Sequence, residues 1–154
     1  MLAAGASSRY GGVKQRELLP AVLEALRQTR VSEIVVVEGA HPLEATGARV
    51  VRCDEWERGP GASLRCGLAA LAANVERAAV VLADGPELDP RAVERVLDRD
   101  EPFVAASYDG TRSHPVALAR SVWGDVPDEG GRAVEPVLVD CSDLRPPGDV
   151  DVRR

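Results

Sequence analysis

The chain has 154 residues, 45% hydrophobic and 29% charged, which is the length of one domain with enough apolar residues to fill a core. A formal charge of −6 argues against a nucleic-acid surface, which carries a basic patch or stripe, so an anionic substrate has to be drawn in by local cations. No apolar run approaches a membrane span and no charged-then-apolar leader precedes the first motif, which predicts a cytoplasmic protein without membrane contact. Aromatics are only 3%, so the core must be built from Val, Leu and Ala, as in strands covered by helices. Cys53, Cys66 and Cys141 are odd in number and include no C-x-x-C pair; they read as reduced, mostly buried thiols.

The chain opens with Leu2-Ala3-Ala4-Gly5-Ala6-Ser7-Ser8-Arg9-Tyr10-Gly11-Gly12-Val13-Lys14, a loop of small residues with two cations toward its end. Glycines let backbone approach a ligand, successive N–H groups form an anion-binding nest, and Arg9 and Lys14 add charge, so the stretch can cradle phosphates. It is neither a Walker A loop, because Gln15 stands where Ser or Thr must follow the lysine, nor a G-x-G-x-x-G dinucleotide fingerprint. The pattern L-A-A-G-x-S-x-R-x-G-x-x-K resembles the opening signature of the Rossmann-like nucleotidyltransferases, in particular the molybdenum cofactor cytidylyltransferase (MobA-like NTP transferase) family.

Only Met1 and Leu2 precede the small residues of this loop, short for a buried strand, and a helical pattern begins almost directly after Lys14. These features, together with the lack of the family's usual final helix after Asp151, lead to the expectation that residues are missing at the N-terminus, between Gln15 and Arg16, and after Asp151. Leu19, Leu23 and Leu26 share one face of a helix with Pro20 in its first turn. Ile34–Val37 is a β-branched run typical of a strand covered on both faces, and 48–53 is a second strand candidate.

Asp54 to Arg65 then reads as a polar loop entering a helix with Leu64, Leu68 and Leu71 on one face. Its small first-turn residues leave N–H groups open to a ligand. Gly59-Pro60-Gly61-Ala62-Ser63-Leu64 resembles the family's second signature, a loop over the nucleotide, and implies contacts from Gly61 and Ser63. A third strand, 78–82, runs into Ala83-Asp84-Gly85-Pro86, which puts an acidic residue where α/β sheets carry their chemistry; a turn aspartate before Gly-Pro is the plainer alternative. Asp89 caps the next helix, with Pro90 at its first position.

Strand candidates 103–106 and 115–118 flank the turn Asp109-Gly110, and 136–139 forms a further strand. Ser113-His114-Pro115-Val116 is similar to the family's Gly-His-Pro-Val, and Asp128-Glu129-Gly130-Gly131-Arg132 to its Asp-x-Gly-x-Arg loop. Gly148-Asp149-Val150-Asp151 stands where relatives have Asp-x-Asp-Thr-Pro-Glu-Asp, although Val152-Arg153-Arg154 departs from that ending. The alternation of helix and strand predicts a single three-layer α/β/α domain over 1–154 with a mostly parallel, Rossmann-like sheet.

The resemblance implies a magnesium-dependent nucleotidyltransferase. Leu2, Ala3, Ala4, Gly5, Ser7, Ser8, Arg9 and Gly11 would hold the triphosphate, Lys14 would reach the α-phosphate, and Asp84 with Asp151 or Asp149 would hold Mg2+. His114 would face the acceptor, although a histidine before proline at a strand start is more often structural. Arg65 and Arg132 could meet an acceptor phosphate and Trp56 or Trp123 a ring, with solvation and packing as the plainer readings. Ala3-Ala4-Gly5, rather than Ala-Gly-Gly, favours CTP over GTP. The implied acceptor is a phosphate monoester such as molybdopterin or another small ester, and a cofactor-receiving enzyme or chaperone is the implied protein partner. The competing class is a catalytically silent nucleotide-binding module.

Overall fold

The computed structural model describes residues 1–6 and 13–149; Ser7, Ser8, Arg9, Gly11 and Asp151, all named above as site candidates, lie outside them. The regular elements are α1 (Lys14–Arg27), β1 (Val35–Glu38), β2 (Arg49–Arg52), α2 (Pro60–Ala70), β3 (Arg77–Val80), α3 (Pro90–Leu97), β4 (Phe103–Tyr108), β5 (Thr111–Ala119) and β6 (Val137–Asp140). Among the described residues no helix is long and apolar enough to cross a membrane.

β1 and β2 pair in parallel with Val36 opposite Val50, and the remaining strands run in the order β3-β5-β4-β6. Leu2 links the two groups by parallel bridges to Val37 on one side and Leu82 on the other. Its N–H donates to Val81 O at 2.9 Å, and Ala83 N–H donates to Leu2 O at 3.0 Å. The N-terminal residues are therefore the centre of the sheet, although they contribute only a short extended segment.

The sheet is mostly parallel, as expected, with β5 as the exception among the described strands. β6 is parallel to β4, but β5 is antiparallel to both β3 and β4. The cause is local: Asp109 and Gly110 take φ values of 50° and 78°, the paired positive angles of a two-residue hairpin turn, and a parallel return would need a long crossover.

Side chains that alternate along the strands sort the core into two faces. Val35 and Val37 pack with Cys53, Cys66 and Ala70 on the α2 side, whereas Val36 packs with Leu19 and Leu23 of α1. Further along, Ala105, Val116 and Leu118 meet Leu64 and Leu68 of α2, while Val104, Ala106 and Ala117 meet Ala92 and Val96 of α3. Val22 and Leu26 of α1 also touch Val93 of α3, so α1 and α3 share one layer and α2 forms the other. The result is a mixed α/β fold of three layers. α3 begins as its sequence predicts, with the Asp89 side chain accepting from Arg91 N–H at 2.9 Å ahead of Pro90.

Three expectations change. α1 starts at Lys14, so Lys14 and Gln15 belong to its first turn and Pro20 lies inside the helix. Gln15 and Arg16 are consecutive helical residues, and Arg16 N–H donates to Val13 O at 3.0 Å, so the expected break there is absent. The buried face of α1 simply begins one turn earlier than its leucines, with Lys14 and Gln15 themselves buried. Finally, Cys53 and Cys66 are joined by a disulfide with Cα atoms 5.8 Å apart, and among the described residues Cys141 alone is a free thiol. Spacing along the chain could not reveal that β2 and α2 bring these two sulfurs together.

Candidate active site

Because Leu2 and Leu82 are parallel neighbours, the segments that follow them leave the sheet at the same end, the end where α/β folds place their ligands. One segment becomes Ala3-Ala4-Gly5 and the other reaches Asp84. The first turn of α1 opens at the same place. A third element arrives from the far end of the chain, where Glu87 N–H donates to Pro147 O at 3.0 Å and sets the 147–149 segment beside residues 85–87.

These elements converge on one ammonium group. Lys14 Nζ is 3.0 Å from Asp84 Oδ2 and 3.2 Å from Asp149 Oδ1, with the lysine side chain only 8% exposed. Burial lowers the Lys14 pKa, but the hydrogen bonds and charges of Asp84 and Asp149 outweigh it and hold the pKa above its ordinary value. The lysine is thus a fixed cation. The two candidate metal carboxylates, 65 residues apart in sequence, meet on it.

Next to this centre is a cavity of 310 Å³ walled by Ala3, Ala4, Gly5, Trp56, Pro60 and Ser63, with Asp84 at its edge. Two side chains that sequence reading did not single out fix the start of the glycine-rich loop. Gln15 Nε2 donates to Gly5 O at 3.0 Å, and His41 Nε2 lies 3.1 Å from Ala6 O. The available signal for Gln15 was its position directly after Lys14. His41 carried none, because it belongs to a separate loop that only the fold brings close.

Gly61 does not line this cavity. Its N–H donates to Asp128 O at 2.9 Å, and a Cβ there would lie 1.7 Å from Pro127 O, so glycine at this position lets the 127–128 backbone cross the start of α2. The Ala62 N–H is likewise taken by Gly59 O at 3.2 Å, so the first turn of α2 is less open to a ligand than its small residues suggest. Asp128 is clamped by Arg58 at 3.1 Å and by Arg65, whose guanidinium also donates to Val126 O at 2.6 Å. Arg65 is thereby committed to the protein. Trp123 packs too, donating from Nε1 to Leu118 O at 3.2 Å with Arg120 over its ring.

A second, larger cavity of 710 Å³ adjoins the first through Leu2, Pro60 and Leu82. Its floor is apolar, with Phe103, Val116 and Leu118, and its polar wall carries Ser113, His114 and Arg132. Arg112 on the same wall is spent on Val134 O and Gly131 O at 2.8 and 2.5 Å. Desolvation lowers the His114 pKa to about 4 against the opposing charge of Asp84, with Arg112 and Arg132 adding to the decrease. The imidazole is neutral at pH 7.

Among the described residues no three His, Cys, Asp or Glu side chains converge as an all-protein metal cage. The pair Asp84 and Asp149 nevertheless suits a hard cation that takes one or two carboxylates and completes its shell with phosphate oxygens and water.

The MobA-like NTP transferase domain family matches residues 1–135 of the chain. Among solved structures, that of Rv0371c from Mycobacterium tuberculosis H37Rv is 25% identical with a TM-score of 0.80, over 98% of this chain and 90% of its own. The Rv0371c homologue from Mycobacterium sp. strain JC1 is 24% identical with a TM-score of 0.81, over 99% and 88%. Rv0371c has also been crystallised with manganese (24% identity, TM-score 0.71, 90% and 85% covered). A nucleotidyl transferase from Methanothermobacter thermautotrophicus, Mth528, is 20% identical with a TM-score of 0.73, over 98% and 89%. Among curated proteins, none is significantly similar in sequence. With a family match that spans most of its length and this arrangement of sheet, cation and carboxylates, the chain belongs to the MobA-like NTP transferase domain family and is a nucleotidyltransferase with a Rossmann-like fold.

Proposed function

We propose that residues 1–154 act as one domain that transfers a cytidine monophosphate unit from CTP to a small phosphate monoester such as molybdopterin and releases pyrophosphate. The observation that carries this reading is the Lys14 ammonium held between Asp84 and Asp149 beside the 310 Å³ cavity. In the reaction an acceptor phosphate oxygen attacks the α-phosphorus, a new P–O bond forms, the α–β bridging bond breaks, and pyrophosphate leaves with the electron pair. An acceptor phosphate is already anionic at neutral pH, so no protein base has to take a proton. The catalytic task is to position two anions and neutralise the charge that builds between them.

In this reading the segment Leu2–Gly5, continued by Ser7, Ser8, Arg9 and Gly11, holds the triphosphate; Lys14 neutralises the α-phosphate; and the nucleoside lies against Trp56 and Ser63. Asp84 and Asp149, with Asp151 as a further candidate, would hold Mg2+, which when bound neutralises phosphate oxygens and makes the phosphorus more electrophilic. The manganese complex of Rv0371c supports a divalent cation in this fold. The acceptor enters the 710 Å³ cavity, its phosphate toward His114 and Arg132 and its body over the apolar floor. Preference for CTP rests on Ala3-Ala4-Gly5, a cofactor-receiving enzyme or chaperone as partner follows from the family likeness, and action in the cytoplasm rests on the sequence pattern alone.

Pyrophosphate release from CTP, GTP, ATP and UTP, each with Mg2+ or Mn2+ and with molybdopterin or simple phosphate esters, tests the reading. Release that requires CTP, cation and acceptor together is the expected result. Nucleotide binding without release under every combination would mean a silent binding module, and a preference for GTP would overturn the base assignment.

A further inference from the structure

The Cys53–Cys66 disulfide closes a segment that is also a wall of the nucleotide cavity. Cys53 follows β2 and is fully buried, whereas Cys66 lies on α2 and is half-buried. Between them run the 3-10 turn Trp56–Arg58, Gly59 and the first turns of α2. Trp56, Gly59, Pro60 and Ser63, all inside this closed loop, line the 310 Å³ cavity. A covalent cross-link restricts the freedom of the loop it closes, and pairs of this kind inside cells are more often redox-sensing than structural.

We propose that Cys53–Cys66 is a redox-sensitive clamp on this wall: the oxidised pair holds residues 54–65 in place against the cavity, and reduction loosens them. Its consequence for nucleotide affinity rests on the nucleotide reading of the cavity; the loosening itself does not.

The chemistry is exchange with a dithiol reductant. Its thiolate attacks Sγ of Cys66, the less buried of the two residues, the S–S bond breaks, and Cys53 leaves as a thiolate that takes up a proton. Ala62 O, 3.6 Å from Cys53 Sγ, is in place to accept the resulting S–H. The reductant's second thiol then displaces Cys66 as a thiol and closes to a cyclic disulfide, so two electrons and two protons pass to the protein. The wall keeps other ties. Cys53 N–H donates to Glu38 O at 2.9 Å, Gly61 N–H to Asp128 O at 2.9 Å, and Arg58 pairs with Asp128 at 3.1 Å, so reduction should loosen the segment without unfolding the domain. Cys141 is a built-in control: it is fully buried, its burial raises the thiol pKa, and it packs in a different cluster.

The test compares air-oxidised protein with protein reduced by dithiothreitol. Thiol counting after denaturation should find one thiol in the first and three in the second. Amide hydrogen exchange over 54–65 should be faster after reduction and return on re-oxidation, while exchange in β4 and β5 stays unchanged. CTP with Mg2+ should bind with a Kd about tenfold higher in the reduced form. Cys66→Ser should reproduce the reduced behaviour and lose its response to dithiothreitol, and Cys141→Ser should keep that response. Three thiols in the air-oxidised protein, or equal exchange over 54–65 in both forms, overturns the clamp. Redox-dependent exchange with no CTP binding in either form supports the clamp and counts against the nucleotide assignment instead, whereas CTP binding of equal affinity in both forms overturns the link between the clamp and the site.

Discussion

The Lys14 ammonium lies 3.0 Å from a carboxylate oxygen of Asp84, which ties the first turn of α1 to the segment beyond β3. The lysine is buried, and Asp149 is a second carboxylate beside it. Removing the cation takes from both carboxylates the counter-charge that Lys14 supplies, and a cation acting on transition-state charge is worth about 2.7–4 kcal/mol, or roughly a hundredfold to thousandfold in rate, by analogy with loss of an oxyanion-hole donor. Lys14→Ala should lose turnover on this scale and also lower Tm, because the buried ammonium ion-pairs with both Asp84 and Asp149. Steady-state kinetics and thermal melts check both effects. A raised KM with unchanged kcat would assign Lys14 to ground-state binding alone.

Asp84→Asn removes a negative charge from both Lys14 and the candidate metal position while keeping the shape of the side chain. The Mg2+ concentration for half-maximal turnover should rise roughly 10–100-fold, the scale on which metal sites respond to loss of a supporting group. Asp149→Asn should have a smaller effect, since the Asp149 side chain is 65% exposed and Asp84 only 29%. Metal titrations of both variants in the presence of CTP decide the order, and an unaltered Mg2+ dependence in both would remove these residues from the metal site.

Gly61→Ala probes the crossing of the 127–128 backbone over α2. The added methyl carbon would sit 1.7 Å from Pro127 O and 2.7 Å from its carbonyl carbon, so the crossing segment has to move. Overpacking of this kind costs about 1–3 kcal/mol, and each kcal/mol lowers Tm by about 2–4 °C in a domain of this size. A thermal melt measures it. A Tm within about 1 °C of the parent protein would show that the segment is free to retreat.

His114 gives the stability a defined pH dependence. Its pKa falls from 6.5 to about 4 in the folded protein, chiefly by desolvation, so between these values the unfolded chain binds a proton that the folded chain refuses. Stability contributed by the neutral imidazole is therefore complete above pH 6.5, declines as pH falls toward 4, and amounts to up to about 3 kcal/mol. Urea unfolding at pH 7, 5.5 and 4.5 should show the decline, and His114→Gln should flatten it. NMR titration of the ring with a midpoint near 6.5 would refute the mechanism.

The sequence by itself determined the local events. Asp89-Pro90 started a helix, Asp109-Gly110 turned a hairpin, and the β-branched run 34–37 supplied three of the four residues of the strand Val35–Glu38, because capping, positive φ and β-branching act within a few residues. The spaced Gly, Arg and Lys of the opening motif carried the family. Tertiary structure alone decided which distant groups meet. Nothing near Asp84 or Asp149 in sequence specifies that both reach Lys14, and that convergence follows from the parallel bridge of Leu2 to Leu82 and the docking of Pro147 on Glu87. Arg65 looked available for a phosphate until Asp128 and Val126 O claimed it, and Cys53 and Cys66 looked like separate thiols until β2 and α2 were packed together. Local chemistry is written in the residues themselves, but proximity across the sheet depends on register and packing, which the whole chain sets at once.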